Sequence, residues 1–173
     1  MTILFQSKRL LFRQFTLDDA ALIIDLNSDP DVMEYLHEPP TTQENATQIL
    51  KDIILPQYEK GLGRWAVHLK YTEEFVGWCG LKYIKEKDEI DLGYRFKKKY
   101  WGNGYATEAA LTCISYAFAH LNLDRIIAKA HIENAASLKV IENCGMKFLR
   151  KDVEDHYPVK VYELKKQSAN FSQ

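Results

Sequence analysis

The stretch that most constrains this chain runs from Glu89 to Glu108, EIDLGYRFKKKYWGNGYATE. It begins as a strand, passes through a basic turn holding Gly102 and Gly104, and enters a helix. Ala109, Ala110, Cys113, Ile114, Ala117, Phe118 and Leu121 fall on one face of that helix. A strand that feeds a glycine turn and a helix N-terminus presents outward-pointing backbone N–H groups at the positive end of a helix dipole. Such a place suits a phosphate-bearing ligand. Lys97, Lys98 and Lys99 are the local basic cluster; they either draw in the phosphates or serve as solvated turn residues.

The rest of the composition narrows the class. A chain of 173 residues fits one domain, 1–173, with a substantial core. The net charge of −1 gives no global case for binding nucleic acid or a membrane surface. The three cysteines, Cys79, Cys113 and Cys144, are widely spaced among apolar or small residues. That pattern reads as reduced thiols in or near the core of a cytoplasmic protein, not a disulfide framework or a zinc site. The histidines have no metal-ligand spacing, so no metal is expected. The N-terminal MTILFQSKRLLFRQF breaks its apolar run with Gln6, Lys8, Arg9, Arg13 and Gln14, unlike a signal peptide. Ser168–Gln173 reads as a frayed tail.

In order, Arg9–Phe15 reads as a strand, and Thr16 or Asp18 caps a short helix ending at Pro30. Asp31–Tyr35 reads as one more helical turn. Thr42 caps a longer helix with Ile49, Ile53 and Ile54 inward, kinked at Pro56 and stopping at Gly61 or Gly63. Strands follow at Arg64–Lys70, Glu74–Ile84 and Glu89–Phe96, with Gly77 and Gly80 marking a bulge or a close backbone approach. After the long helix come a strand at Arg125–Ile132, a helix from Asn134 to Gly145, and strands at Met146–Lys151 and Val159–Leu164. This is a mixed α/β (α+β) chain, antiparallel first, with a strand–helix–strand crossover after the glycine turn.

Three groups of residues resemble one family. Near the start stand Ser7-Lys-Arg-Leu-Leu-Phe-Arg13, Asp18-Asp19-Ala20 and Ser28-Asp-Pro-Asp-Val-Met33. The centre has Leu92-Gly-Tyr94 and Tyr100-Trp-Gly-Asn-Gly-Tyr-Ala-Thr-Glu-Ala109. The third group is Asn134-Ala-Ala-Ser137 with Gly145-Met-Lys-Phe148. In this order they resemble the GNAT (Gcn5-related N-acetyltransferase) superfamily and its RimJ/RimL-like branch, over essentially the whole chain. One departure is Trp101, where the superfamily's coenzyme loop usually begins with Gln or Arg.

The resemblance implies a mostly antiparallel sheet of about seven strands flanked by about four helices, with a V-shaped split between strands 4 and 5. It implies acetyl-coenzyme A as cosubstrate and a primary amine as acceptor, either a protein N-terminal α-amine, as in ribosomal proteins, or a small molecule. The turn Trp101, Gly102, Asn103, Gly104, Tyr105, Ala106 and Thr107 would take the pyrophosphate, and the backbone of Tyr94, Arg95 and Phe96 the pantetheine and thioester. Asn134 and Ser137 match coenzyme-contacting positions. A neutral amine is needed, and lysine-like amines titrate near about 10.4 against about 8 for α-amines, so a general base is useful. Asp91 is the first candidate and Glu89, two residues earlier on the same face, the second. Ser137 is the candidate proton donor to the leaving thiolate. Asp29, Asp31, Glu34 and Glu38 would make an acceptor region that favours cations, unless they only form a solvated face.

Two other nucleotide readings fail. There is no G-x-x-x-x-G-K-[ST] and no G-x-G-x-x-G, and a run of antiparallel strands precedes the turn. A coenzyme-binding module of the same fold without transfer activity stays open, as do a monomer and a homodimer.

Overall fold

The computed structural model describes residues 1–167; Ser168–Gln173, expected to fray, lie outside the described residues. The chain opens with a hairpin of β1 (Phe5–Gln6) and β2 (Leu10–Arg13). The expected single strand Arg9–Phe15 is therefore shorter and has a neighbour. Among the described residues there are eight strands instead of about seven, because two residues are too few to show a period-2 pattern.

A 3₁₀ turn at Leu17–Asp19 leads into α1 (Ala20–Asn27). Thr16 starts it, with its backbone N–H bonded to the Asp19 carboxylate at 2.8 Å. One turn, α2 (Pro30–Met33), follows, capped by Asp29, which accepts from the Asp31 N–H at 2.9 Å. Thr42 caps α3 (Gln43–Ile49), which widens into a π turn at Leu50–Ile54 and continues as α4 (Leu55–Tyr58). The wide turn is how Pro56 is accommodated. Its ring would collide with the carbonyl four residues back in a regular helix, and the added residue per turn relieves that collision.

The sheet continues with β3 (Gly63–Leu69), β4 (Phe75–Ile84) and β5 (Glu89–Phe96). Then come α5 (Tyr105–His120), β6 (Arg125–His131), α6 (Ala135–Asn143), β7 (Lys147–Glu154) and β8 (Tyr157–Lys165). The strand order is β1-β2-β3-β4-β5-β6-β8-β7. Every neighbouring pair is antiparallel except β5–β6. The bulge expected near Gly77 is real: Val67 faces Gly77 but His68 faces Phe75, so Val76 is the extra residue.

Side-chain alternation builds a three-layer molecule. Leu10, Phe12, Trp65, Val67, Leu92 and Phe96 pack with Ala110, Cys113 and Ala117 of α5 on one face. Phe15, Ala66, Phe75 and Trp78 pack with Ile23 and Leu26 of α1 and Ala46 and Leu50 of the α3 run on the other. Both faces of β4 are thus covered, which explains its near-continuous apolar run. All three cysteines are buried and free. His68 is buried and satisfied, accepting from Arg13 Nε at 3.1 Å with its Nδ1 2.8 Å from the Glu73 carbonyl.

Candidate active site

The parallel seam decides where the site lies. β5 and β6 pair at Asp91–Ile127 and then part, giving the expected V-shaped split. Below the pairing point the seam is held by Glu89. Arg150 donates to both its oxygens at 3.0 Å, and Arg125 reaches it at 3.5 Å. Above it, β5, β6 and the starts of α5 and α6 enclose a cleft of about 840 Å³.

One wall is the glycine turn. Gly102 and Gly104 hold φ of +75° and +78°, which glycine adopts without a Cβ penalty. Gly104 is also the N-cap of α5, so the helix begins with free N–H groups at the cleft. Trp101 has a local role that explains the departure from the usual loop. Its indole N–H donates to the Phe96 carbonyl at 2.9 Å, tying the turn to the end of β5. Asn103 donates to the Tyr100 and Trp101 carbonyls at 3.1 and 3.0 Å.

Sequence reasoning missed the support behind this turn. Glu108, in the first turn of α5, accepts from Ser7 Oγ at 2.6 Å and from Arg9 Nε at 2.6 Å. Arg9 also donates to the Asn103 carbonyl at 3.0 Å and lies 4.4 Å from the centre of the Tyr105 ring. Burial works to raise the Glu108 pKa, but the bonds from Ser7 and Arg9 outweigh it and hold the carboxyl below its ordinary value. An acid at the N-terminus of a helix expected to receive an anion is repulsive to that anion unless it is neutralised. That mismatch was the available signal for a distant cation.

Of the two readings for Lys97, Lys98 and Lys99, their ion pairs favour solvated turn residues. The lysines pair with Asp25, Asp31 and Glu74 and do not line the cleft. Being adjacent in a turn, they fan out to three different elements.

The face of β5 toward α5 carries Tyr94 and Phe96. Tyr94 donates its hydroxyl to Ser137 Oγ at 3.0 Å, and burial pushes its pKa up to about 12. Ser137 sits in the first turn of α6, where its N–H donates to the Asn134 side chain at 3.1 Å. With the Ser137 oxygen accepting from Tyr94, its own proton is free to point into the cleft.

The opposite face of β5 carries Asp91, Gly93 and Arg95. Asp91 is buried, its Oδ1 has no partner among the described residues, and it faces the cleft. Burial pushes its pKa up to about 6, against the pull of Lys129, Arg64 and Lys82. The Arg95 side chain turns to this face, donating to the Asn27 side-chain Oδ1 at 2.7 Å and to Glu38 at 3.1 Å. Only its backbone remains available to the role expected of it. Glu89 fares worse as a base. Arg150 holds its pKa below the usual range, its oxygens are taken, and it lies outside the large cleft. Asn103 also lies outside, while Trp101, Gly102, Gly104, Tyr105, Ala106, Thr107, Asn134 and Ser137 line it.

The acidic acceptor region is only partly neutralised, and Glu34 lines the cleft with no ion pair among the described residues. Asp29 is spent on its cap, Asp31 on Lys98 and Glu38 on Arg95. Near the mouth, His37 stacks on Tyr157 at 3.4 Å between ring centres, with Tyr35 beside His131 at 5.4 Å.

A family model described as the acetyltransferase (GNAT) domain matches residues 9–147. The chain belongs to the GNAT acetyltransferase family. It is 34% identical over 142 residues to the N-acetyltransferase p20 of Bacillus licheniformis, itself uncharacterized, covering 79% of this chain and 78% of that one. A GNAT-family acetyltransferase of Bacillus anthracis superposes with a TM-score of 0.80 at 28% identity, covering 95% and 98% of the two chains. RimL, a ribosomal L7/L12 α-N-protein acetyltransferase solved with coenzyme A, shares the fold with a TM-score of 0.81 at 14% identity over 95% and 98% of the two chains. This GNAT protein is thus an acyltransferase by class. Among its described residues no helix is long and apolar enough to cross a membrane.

Proposed function

We propose that this GNAT protein moves the acetyl group of acetyl-coenzyme A to a primary amine, either a protein N-terminal α-amine or a small-molecule amine, in the RimJ/RimL-like manner. One coincidence carries the reading. A helix-opening glycine turn, a parted parallel seam and a buried carboxyl without a partner meet in one cleft. The buried cysteines, all free, support a cytoplasmic setting.

The residues fit the coenzyme. The N–H groups of the Trp101–Thr107 turn suit its pyrophosphate, and no atom lies within 4 Å of the place a Cβ would occupy at Gly102. The free edge of β5 at Tyr94–Phe96 suits the pantetheine amides, with Asn134 across the opening. The acceptor then enters from the Asp91 face. Its nitrogen attacks the thioester carbonyl, the N–C bond forms, and the C–S bond breaks. The ammonium proton passes to Asp91, directly or through a water. The thiolate takes a proton from Ser137, which Tyr94 can refill through its 3.0 Å bond. Glu89 has no part in this scheme and anchors the seam instead.

A protein that only holds coenzyme A gains nothing from burying an unpartnered carboxyl, so this carboxyl favours transfer over simple binding. Purified protein given acetyl-coenzyme A should release thiol only when an amine is present. Tight coenzyme binding without turnover, on a panel of N-terminal peptides and small amines, would sink the enzyme reading.

The turn has its own test. Gly104→Val places a branched side chain at φ +78°, with its Cβ 3.5 Å from Arg9 Nη2. The left-handed strain costs about 1–2 kcal/mol, which a domain with about 5–15 kcal/mol of stability survives. Calorimetry should show acetyl-coenzyme A affinity falling by about tenfold or more, at least about 1.4 kcal/mol. Unchanged affinity would remove the pyrophosphate from this turn.

A further inference from the structure

The floor of the cleft on the Asp91 side holds a second group that nothing above uses. Arg64, near the start of β3, lines the cleft. It reaches there because two glycines stand in register beside it: Arg64 faces Gly80 on β4, and Gly80 faces Gly93 on β5. The Trp78 ring fills the space over Gly93 in that row, 3.5 Å from where a Cβ there would stand. The guanidinium lies over the Trp78 ring, 4.4 Å from its centre. That contact holds it in place without satisfying its donors.

The other cations that line the cleft are ion-paired, and Lys82, in register with Asp91, lies outside its lining. Arg95 is taken by Asn27 and Glu38, and Lys129 by Glu154 at 2.6 Å. Arg64 has no ion-pair partner among the described residues, and burial lowers its pKa below the ordinary guanidinium value. Arg64 and Asp91 therefore face one cavity as opposite, unpartnered groups that do not pair with each other.

We propose that the acceptor is an amino-carboxylate, a primary amine carrying a carboxylate on the same small skeleton, and that Arg64 is the residue that receives the carboxylate. This rests on the reading of the cleft as an acetyltransferase site. The amine is delivered to Asp91 while the planar fork of Arg64 takes two carboxylate oxygens. A pure polycation would leave the Arg64 donors unmet and bring like charge against them. A neutral amine would forgo the charge-assisted pair and leave the partly buried Arg64 guanidinium without an ionic partner.

The test uses matched acceptors: amino acids and short amino-carboxylates, their carboxamides, their decarboxylated amines, and spermidine. Wild-type protein should favour the carboxylate member of each pair by about tenfold or more in kcat/KM. Arg64→Met should raise KM for the carboxylate members and shrink that gap to about threefold or less, and Arg64→Lys should fall between. Acetyl-coenzyme A affinity reports that each variant is folded. Binding of the same acceptors to protein saturated with coenzyme A, read by calorimetry, needs no turnover. Failure of all thiol release would overturn the transfer reading, whereas Arg64-dependent carboxylate binding would still stand or fall by calorimetry. A wild-type preference for spermidine or for the carboxamides, or a gap that survives in Arg64→Met, would overturn the assignment of Arg64.

Discussion

Replacing Asp91 with asparagine should lower kcat by about 10²–10⁴-fold, the usual worth of a positioned general base, and should stabilise the protein at pH 8. Both effects come from the same burial. The folded-state pKa of Asp91 is raised from 3.8 to about 6. The native state therefore holds its proton more tightly than the unfolded chain does. The penalty is absent well below pH 3.8 and grows as pH rises toward about 6. Above that it reaches on the order of 2–3 kcal/mol, from about two pKa units at 1.36 kcal/mol each. Asparagine carries no charge to bury, so melting curves should show a gain at pH 8 that is mostly lost by pH 4 and gone well below pH 3.8. In the wild type, kcat should rise through pH ~6 as the carboxyl ionises, with Lys129, Arg64, Lys82 and Glu154 setting its field. That limb should disappear in the variant. An active Asp91→Asn with the wild-type pH profile would end the general-base assignment, and equal stabilities at pH 8 would end the burial argument.

Gly80→Ala is expected to damage the fold more than any single large-to-small change at the surface. A Cβ there would lie 2.0 Å from the Gly63 carbonyl oxygen and 2.8 Å from the Arg64 Cα. Both obstacles are backbone, so no rotamer change relieves them, and β3 must separate from β4. The expected loss is about 3 kcal/mol or more, lowering Tm by about 6–12 °C for a chain of this size. Gly145→Ala is the control. Nothing lies within 4 Å of that Cβ, and only its φ of +80° is at stake, a cost of about 1–2 kcal/mol. If the two variants melt together, the close approach at Gly80 is not what constrains that position.

Much of the fold was legible because long periodic segments announce themselves. The face of α5 and the strand at Glu89–Phe96 stand where periodicity puts them, and Gly77 and Gly80 marked a bulge and a close approach. The two-residue β1 lacked a pattern, and a π turn leaves no signature in spacing beyond Pro56 itself. The glycine turn could be read as a candidate anion site because the chemistry that suggests it is local. The directions of Lys97, Lys98 and Lys99 were not, because each is fixed by a carboxylate far away in sequence. Glu89 and Asp91 looked equivalent at two-residue spacing. Arg150, 61 residues beyond Glu89, separates them by neutralising one and leaving the other bare. Arg64 became legible only once Gly80 and Gly93 were in register with it.

The single pairing point between β5 and β6 has a consequence for solvent exchange. β5 is a central strand of an eight-stranded sheet, yet beyond Asp91 every second amide along it faces the opening instead of a neighbouring strand. Such amides should trade deuterium at the pace of a surface loop while their neighbours, bonded to β4, stay protected for far longer. A bound ligand that lies along this edge would slow the fast set and leave the slow set untouched. The alternating exchange pattern along one strand would then record, amide by amide, how far the ligand extends into the sheet.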